Sequence, residues 1–219
     1  MATIRQREQA LFRRWKKRRP DCVGDGVVDE GVYLAARPRL LFVLKEVNSP
    51  GNSDWDLRDF LAKGGRSQTW NNVTRWVEGL RRLDSDIPWS ELASISDERR
   101  KQALDTIAAV NLKKDPGGST TKAKELISAV AQDRDLLCEQ IRLYDADIII
   151  ACGSLVAGQL VSVLDLPASW PSTRRGIQHC EDESGAIVFA YSHPEARVHN
   201  SLLHYGLVDA VREVWARRG

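Results

Sequence analysis

Short apolar runs alternate along the chain with longer stretches in which apolar residues recur at helical spacing. Four runs stand out, at residues 40–44, 107–112, 147–152 and 186–191, each rich in Ile, Val, Leu or aromatic residues and bounded by polar turns. Runs of this length and composition read as strands buried on both faces. Residues 177–180 suggest a further short strand. Between the runs the periodicity predicts helices over 4–17, 68–80, 98–106, 122–144, 155–164 and 201–216, with Asp54 placed to cap another that reaches Leu61. Trp70, Val73, Trp76, Val77 and Leu80 fall on one side of the 68–80 helix, a spacing that fits a core stripe better than a stacking platform for bases. Residues 21–31, 63–67 and 167–175 read as loops, and Pro20 ends the first helix. Strands alternating with helices predict an α/β protein. The expected form is a three-layer α/β/α arrangement around a mainly parallel four-stranded central sheet, with one domain over 1–219 and a basic helix at 1–20.

Each main strand runs into a polar cluster: residues 45–48, residues 111–114, Gly153-Ser154, and residues 192–200. In a parallel sheet all four emerge at the C-terminal edge, where open α/β sheets bind ligands. The most crowded is Ser192-His193-Pro194-Glu195-Ala196-Arg197-Val198-His199-Asn200, with two imidazoles, a guanidinium, a carboxylate and an amide. It also has a plain structural reading as a strand-to-helix loop, with Pro194 as the stop and Asn200 or Ser201 as helix N-cap. Gly153-Ser154 can seat an anion at a helix N-terminus, or its glycine can serve a tight turn alone. The glycines of 116–120 lack the spacing and the Gly-Lys-Ser or Gly-Lys-Thr ending of a P-loop, which argues against an NTPase.

At 42% hydrophobic and 28% charged residues, 219 residues can bury a sizeable core. No apolar stretch approaches the roughly 20 residues that span a bilayer, and the charged N-terminus lacks the apolar segment of a secretory signal. A cytoplasmic monomer without membrane contact is expected. Cys22, Cys138, Cys152 and Cys180 form no Cys-x-x-Cys pair, so neither a zinc ribbon nor a disulfide framework is predicted, and no metal or other cofactor is expected. Charge is uneven: residues 1–20 hold eight Lys or Arg against Glu8 alone, while the remainder holds 24 basic and 29 acidic side chains. A basic helix on an acidic body suits a polyanion such as nucleic acid. It equally describes a solvated helix face.

The segments Leu41-Phe42-Val43-Leu44-Lys45-Glu46, Ala109-Val110-Asn111-Leu112, Ile150-Ala151-Cys152-Gly153-Ser154 and Ser192-His193-Pro194 follow one another at four strand ends. In this order they resemble the uracil-DNA glycosylase superfamily, over residues 38–217. Four parallel strands of that family carry, in turn, a water-activating acidic or amide residue, an asparagine that reads a pyrimidine edge, a Gly-Ser turn and a His-Pro loop. Each motif is short, and the specificity lies in their order. The resemblance implies hydrolysis of the N-glycosidic bond of a flipped uracil or related damaged base in single- or double-stranded DNA. It implies catalytic roles for Glu46 and His193, with Asn48 competing for the role of Glu46. Asn111, Phe42 and Tyr191 would contact the base, and Gly153, Ser154, Arg197, Lys113 and Lys114 the phosphates.

The residue types suit that chemistry. Cleavage leaves positive charge on the sugar and negative charge on the base, so the site needs a donor for the base and an anion or oriented water near the sugar. His193 can donate to the departing base, and the Asn111 amide offers both a donor and an acceptor. The plain reading of Glu46 is an ion pair with Lys45 or Arg197. The chain also departs from the family. Leu44 and Lys45 stand where a glycine usually opens the first turn, and residues 195–200 replace a small Ser-rich wedge loop. A base-binding module of the same fold without hydrolysis, or another nucleotide-acting α/β hydrolase, are the alternatives.

Overall fold

A computed structural model describes residues 2–47, 55–117 and 122–217. Among these, six strands form one mixed sheet: β1 (Gly26–Val27), β2 (Leu40–Leu44), β3 (Ile107–Asn111), β4 (Ile148–Cys152), β5 (His179–Glu181) and β6 (Ile187–Tyr191). Their spatial order is β1-β3-β2-β4-β6-β5. The four apolar runs pair in parallel, and β1 and β5 close the two edges antiparallel. The expected four-stranded sheet is therefore corrected to six strands. The residues of β1 lie in a stretch whose glycines and aspartates read as loop, because two residues are too few to show a period.

Nine helices accompany the sheet among the described residues: α1 (Ile4–Arg18), α2 (Glu30–Ala35), α3 (Leu57–Leu61), α4 (Ser67–Leu80), α5 (Trp89–Leu92), α6 (Asp97–Leu104), α7 (Ala123–Leu143), α8 (Ser154–Val163) and α9 (Asn200–Trp215). The expected cap Asp54 lies outside the described residues. Asp56 caps α3 instead, its side chain accepting from the N–H of Arg58 at 2.8 Å. No helix among the described residues is long and apolar enough to cross a membrane.

Strand alternation splits the core in two. Leu41, Val43, Ala108, Val110, Ile149, Ala151 and Val188 face α1, α7 and α8. Phe42, Leu44, Ala109, Ile150, Cys152, Phe189 and Tyr191 face α3, α4, α6 and α9. On the second face Trp76 is wholly buried, stacked on Phe42 at 6.3 Å and edge-on to Tyr191 at 5.5 Å, and its indole N–H donates to the Leu203 carbonyl. The tryptophan stripe of α4 is thus core.

The basic N-terminal helix is part of the body. Leu11, Phe12 and Trp15 are buried against the sheet, each contributing about 1.5–3 kcal/mol relative to exposure. One flank of α1 is tied to α7 by Arg14–Glu139 and Arg18–Asp135, and Arg19 beyond it reaches Asp133 and Asp115. Beneath α1 lies a buried polar cluster. The Lys114 ammonium donates to both oxygens of Asp25 and to the Gln140 side chain, each at 2.8 Å, and sits 4.8 Å from the Trp15 ring centre. Burial pulls its pKa below the ordinary lysine value, with Asp25 acting in the opposite direction.

Helices α4 and α9 meet at Gly79, where a Cβ would collide with Val208 Cγ2 and stand 2.7 Å from His204 Cε1. Alanine has the higher helix propensity by about 1 kcal/mol, but overpacking a filled interface costs about 1–3 kcal/mol. Gly79→Ala is therefore expected to lower the urea midpoint of unfolding. A raised midpoint would show that the two helices are not in contact there.

Candidate functional site at the C-terminal sheet edge

Register brings the polar clusters together. Leu44 stands opposite Asn111, Val43 opposite Ala151 and Cys152 opposite Tyr191. The pairing continues past the strands, with the N–H of Lys113 donating to the Lys45 carbonyl at 2.9 Å and that of Gly153 to the Tyr191 carbonyl at 2.7 Å. Lys45, Lys113, Gly153 and Ser192 therefore leave the sheet at one edge. The winding order reverses between the parallel strands β2 and β4, since β2 leads to β3 on one side and β4 lies on the other. Loops diverge at such a switch point and open a crevice.

Asn111 ends β3 on the same face as Ala109 and is 3% exposed. Its backbone N–H donates to Asp25 at 2.7 Å, but its side-chain nitrogen is buried without a hydrogen-bond partner among the described residues. Leaving such a donor unsatisfied costs about 1–3 kcal/mol. A ligand carbonyl would remove that penalty.

His193 is half-buried after β6. Its Nδ1 accepts the backbone N–H of Glu195 at 3.1 Å, which assigns the ring proton to Nε2. Burial holds the imidazole below its ordinary value of 6.5, and Lys45 and Arg66 pull the same way against Glu195. The ring is therefore neutral near pH 7 and presents an N–H donor. The loop that carries it is pinned to α4. The Glu195 carboxylate accepts from the Thr69 hydroxyl and the Arg66 guanidinium. Burial pushes that carboxylate up, yet these partners hold it below the usual range. Asn72 Nδ2 donates to the Pro194 carbonyl at 2.8 Å and the Asn200 side chain at 3.0 Å, and Arg75 in turn holds the Asn72 carbonyl oxygen at 2.8 Å. His199, rather than Asn200 or Ser201, caps α9 by accepting the Ser201 N–H.

The other candidates divide. Glu46 is paired with Lys113 at 2.9 Å, its side chain 5% exposed, and not with Lys45 or Arg197. Asn48 lies outside the described residues. Lys113 is accordingly occupied, and Lys114 is corrected outright: its ammonium is enclosed in the core and reaches no phosphate. Phe42 is corrected too, since its ring is fully buried against Trp76. The Tyr191 ring is buried, meets Trp76 at a steep angle and donates its hydroxyl to the Leu203 carbonyl at 2.7 Å, while it also borders the cleft at Gly153. Arg197 is exposed and makes no ion pair among the described residues. Gly153 has φ +115°, a conformation that requires glycine, and with Ser154 opens α8 at the mouth of a ≈ 550 Å³ cleft reaching Ser192 and Trp170.

Arg66, Thr69 and Asn72 are contributions that strand-end motifs do not reveal, and Lys45 lies in the first such motif without an assigned role in the site. Lys45 Cε passes 3.8 Å from where a Cβ on Gly153 would stand, and the lysine forms no ion pair among the described residues. The available signal for Thr69 and Asn72 was polar residues on the buried side of an amphipathic helix, where they need partners. Among the described residues no group of three or more His, Cys, Asp or Glu is placed to hold a metal ion, and all four cysteines are free.

The chain matches no family model and no curated protein.

The depressed His193 pKa has a sign. Unfolding releases the ring to its ordinary value of 6.5, so below that pH the unfolded chain binds more protons than the folded one. His193 therefore contributes stability above pH 6.5 that is lost as pH falls through its folded pKa. His179 and His204, also lowered chiefly by burial, act in the same direction. An NMR titration of the His193 ring protons is expected to give a midpoint below 6.5. A midpoint at or above it would contradict the buried, neutral ring.

Proposed function

We propose that the chain binds a flipped pyrimidine nucleotide of DNA at this edge and hydrolyses its N-glycosidic bond, as a uracil-DNA glycosylase-like protein. The observation that carries this reading is the buried side-chain nitrogen of Asn111, which has no hydrogen-bond partner among the described residues. A pyrimidine carbonyl meets that donor, and the amide oxygen can accept a ring N–H. Strands β3 and β6 are separated by β2 and β4, so their ends stand roughly 14 Å apart at the usual strand spacing. Asn111 and His193 would thus flank a planar ligand.

In the reaction, water adds to the anomeric carbon while the bonding electron pair leaves with the base. Neutral His193 donates its Nε2–H hydrogen bond to the base oxygen on which negative charge develops, a stabilisation that grows towards the transition state. Lys45, close by, favours the same charge. Glu46 would act on the sugar side by stabilising positive charge or orienting water, with Asn48 as the competing residue. Gly153, Ser154 and Arg197 remain available to phosphate.

The Glu46–Lys113 pair favours a second reading, base recognition without hydrolysis, because the carboxylate is already engaged by an ammonium at 2.9 Å. Incubation with an end-labelled oligonucleotide containing one uracil, followed by alkali, separates the two. Strand scission is expected, with His193→Ala slowing it about 100-fold or more and Asn111→Ala also losing activity while the melting temperature of each stays near that of the parent. Binding without an abasic product, across a panel of deaminated and damaged bases, would establish the second reading. Neither binding nor product would overturn both.

A further inference from the structure

The two flanks of α1 are treated differently by the rest of the molecule. Arg14 and Arg18 spend their charge on Glu139 and Asp135 of α7. On the other flank Gln9, Arg13 and Lys16 are exposed, and neither cation forms an ion pair among the described residues. With Phe12 and Arg58 they line a concavity of ≈ 330 Å³ that no carboxylate enters. Arg58 forms its wall and is held there by Glu8 at 2.5 Å and by Asp56. Lys16 has a structural reason for its place, since cations favour the last turn of a helix. Arg13, a turn earlier, has none.

A hollow bounded by an amide, a guanidinium fork and an ammonium, with no carboxylate among its described lining residues, matches a phosphate group. The Phe12 ring beside it offers an apolar surface to a sugar or base. The hollow also adjoins the candidate site. The Lys114 ammonium lies 5.7 Å from the Phe12 ring centre and is bonded to Asp25, which accepts the backbone N–H of Asn111. Phe12, Lys114 and Asp25 thus link the hollow to the backbone at the end of β3, with α1 on the sheet face opposite the Asn111 side chain.

We propose that Gln9, Arg13 and Lys16 form a seat for a backbone phosphate of the nucleic acid strand whose base enters the site at Asn111. The assignment rests on the reading of that site as a base pocket. It narrows the role of the basic helix from a diffuse cationic surface to one flank of α1.

The test is binding of the full chain to a fluorescent single-stranded oligonucleotide lacking uracil, followed by anisotropy over a range of salt concentrations. Each lost phosphate contact on a single strand lowers the slope of log K against log salt by about 0.7. The R13A/K16A variant is expected to bind several-fold more weakly with a slope smaller by about 1.4. R14A/R18A, which removes the same formal charge from the paired flank, is expected to leave the slope unchanged. Circular dichroism confirms that both variants are folded. An equal fall in both, no change in R13A/K16A, or no binding by the parent chain overturns the seat. The base pocket fails separately: a parent chain whose binding depends on Arg13 and Lys16 but which neither distinguishes nor releases uracil keeps the seat and loses the pocket.

Discussion

A lysine without access to water, Lys114, fixes the geometry on which the candidate site depends. Its two partners, Asp25 and Gln140, come from the segment before β1 and from α7, and its ammonium lies against rings of α1. One buried charge thereby ties four parts of the chain together. Such a pair is weak evidence of net stability, since desolvation offsets the attraction, but removing one partner strands the other at a cost of about 3–5 kcal/mol. Its effect here is specificity of position. Asp25, clamped by Lys114 and Gln140, also accepts the backbone N–H of Asn111. The end of β3 is held in place, and the amide nitrogen beyond it has no hydrogen-bond partner among the described residues.

The opposite end of the crevice is fixed by other means. The His-Pro loop is held by hydrogen bonds from α4 and its N-cap, through Thr69, Asn72 and Arg66. These bonds immobilise the peptide that Nδ1 of His193 accepts, and so select the tautomer with a free Nε2–H. Charges at the edge are largely cancelled locally, Glu46 by Lys113 and Glu195 by Arg66. Lys45 stands apart from these pairs, next to a glycine where β4 turns into α8. A site built this way suits a neutral planar ligand that gains negative charge during reaction, which is the chemistry of a departing base.

The four central strands and most of the longer helices were legible in the sequence because their signals are local: five apolar residues in a row, or Trp70 and Trp76 at helical spacing. The convergence of the polar clusters followed from strand ends alone. Local signals fail where a partner decides the outcome. Gly26 and Val27 form a strand because β3 offers an unpaired edge, and two residues carry no period of their own. Lys114 follows Lys113 in the sequence and looks like its twin. Yet Lys113 turns to the edge, while Lys114 turns inward to a carboxylate 89 positions away. Phe42 and Tyr191 belong to strand faces already claimed by Trp76. Glu46 found its partner on the neighbouring strand end rather than beside it in sequence, a choice set by the β2–β3 register.

The central claim is that the Asn111 amide is kept vacant for a base. Its side-chain N–H resonances report directly on that vacancy in a selectively labelled sample. On addition of free uracil they are expected to move downfield together, saturably, while the buried Gln140 amide, already bonded to Asp25 and Tyr144, stays in place. Asn111 resonances that remain fixed while uracil, or a uracil-containing strand, is bound would contradict the account.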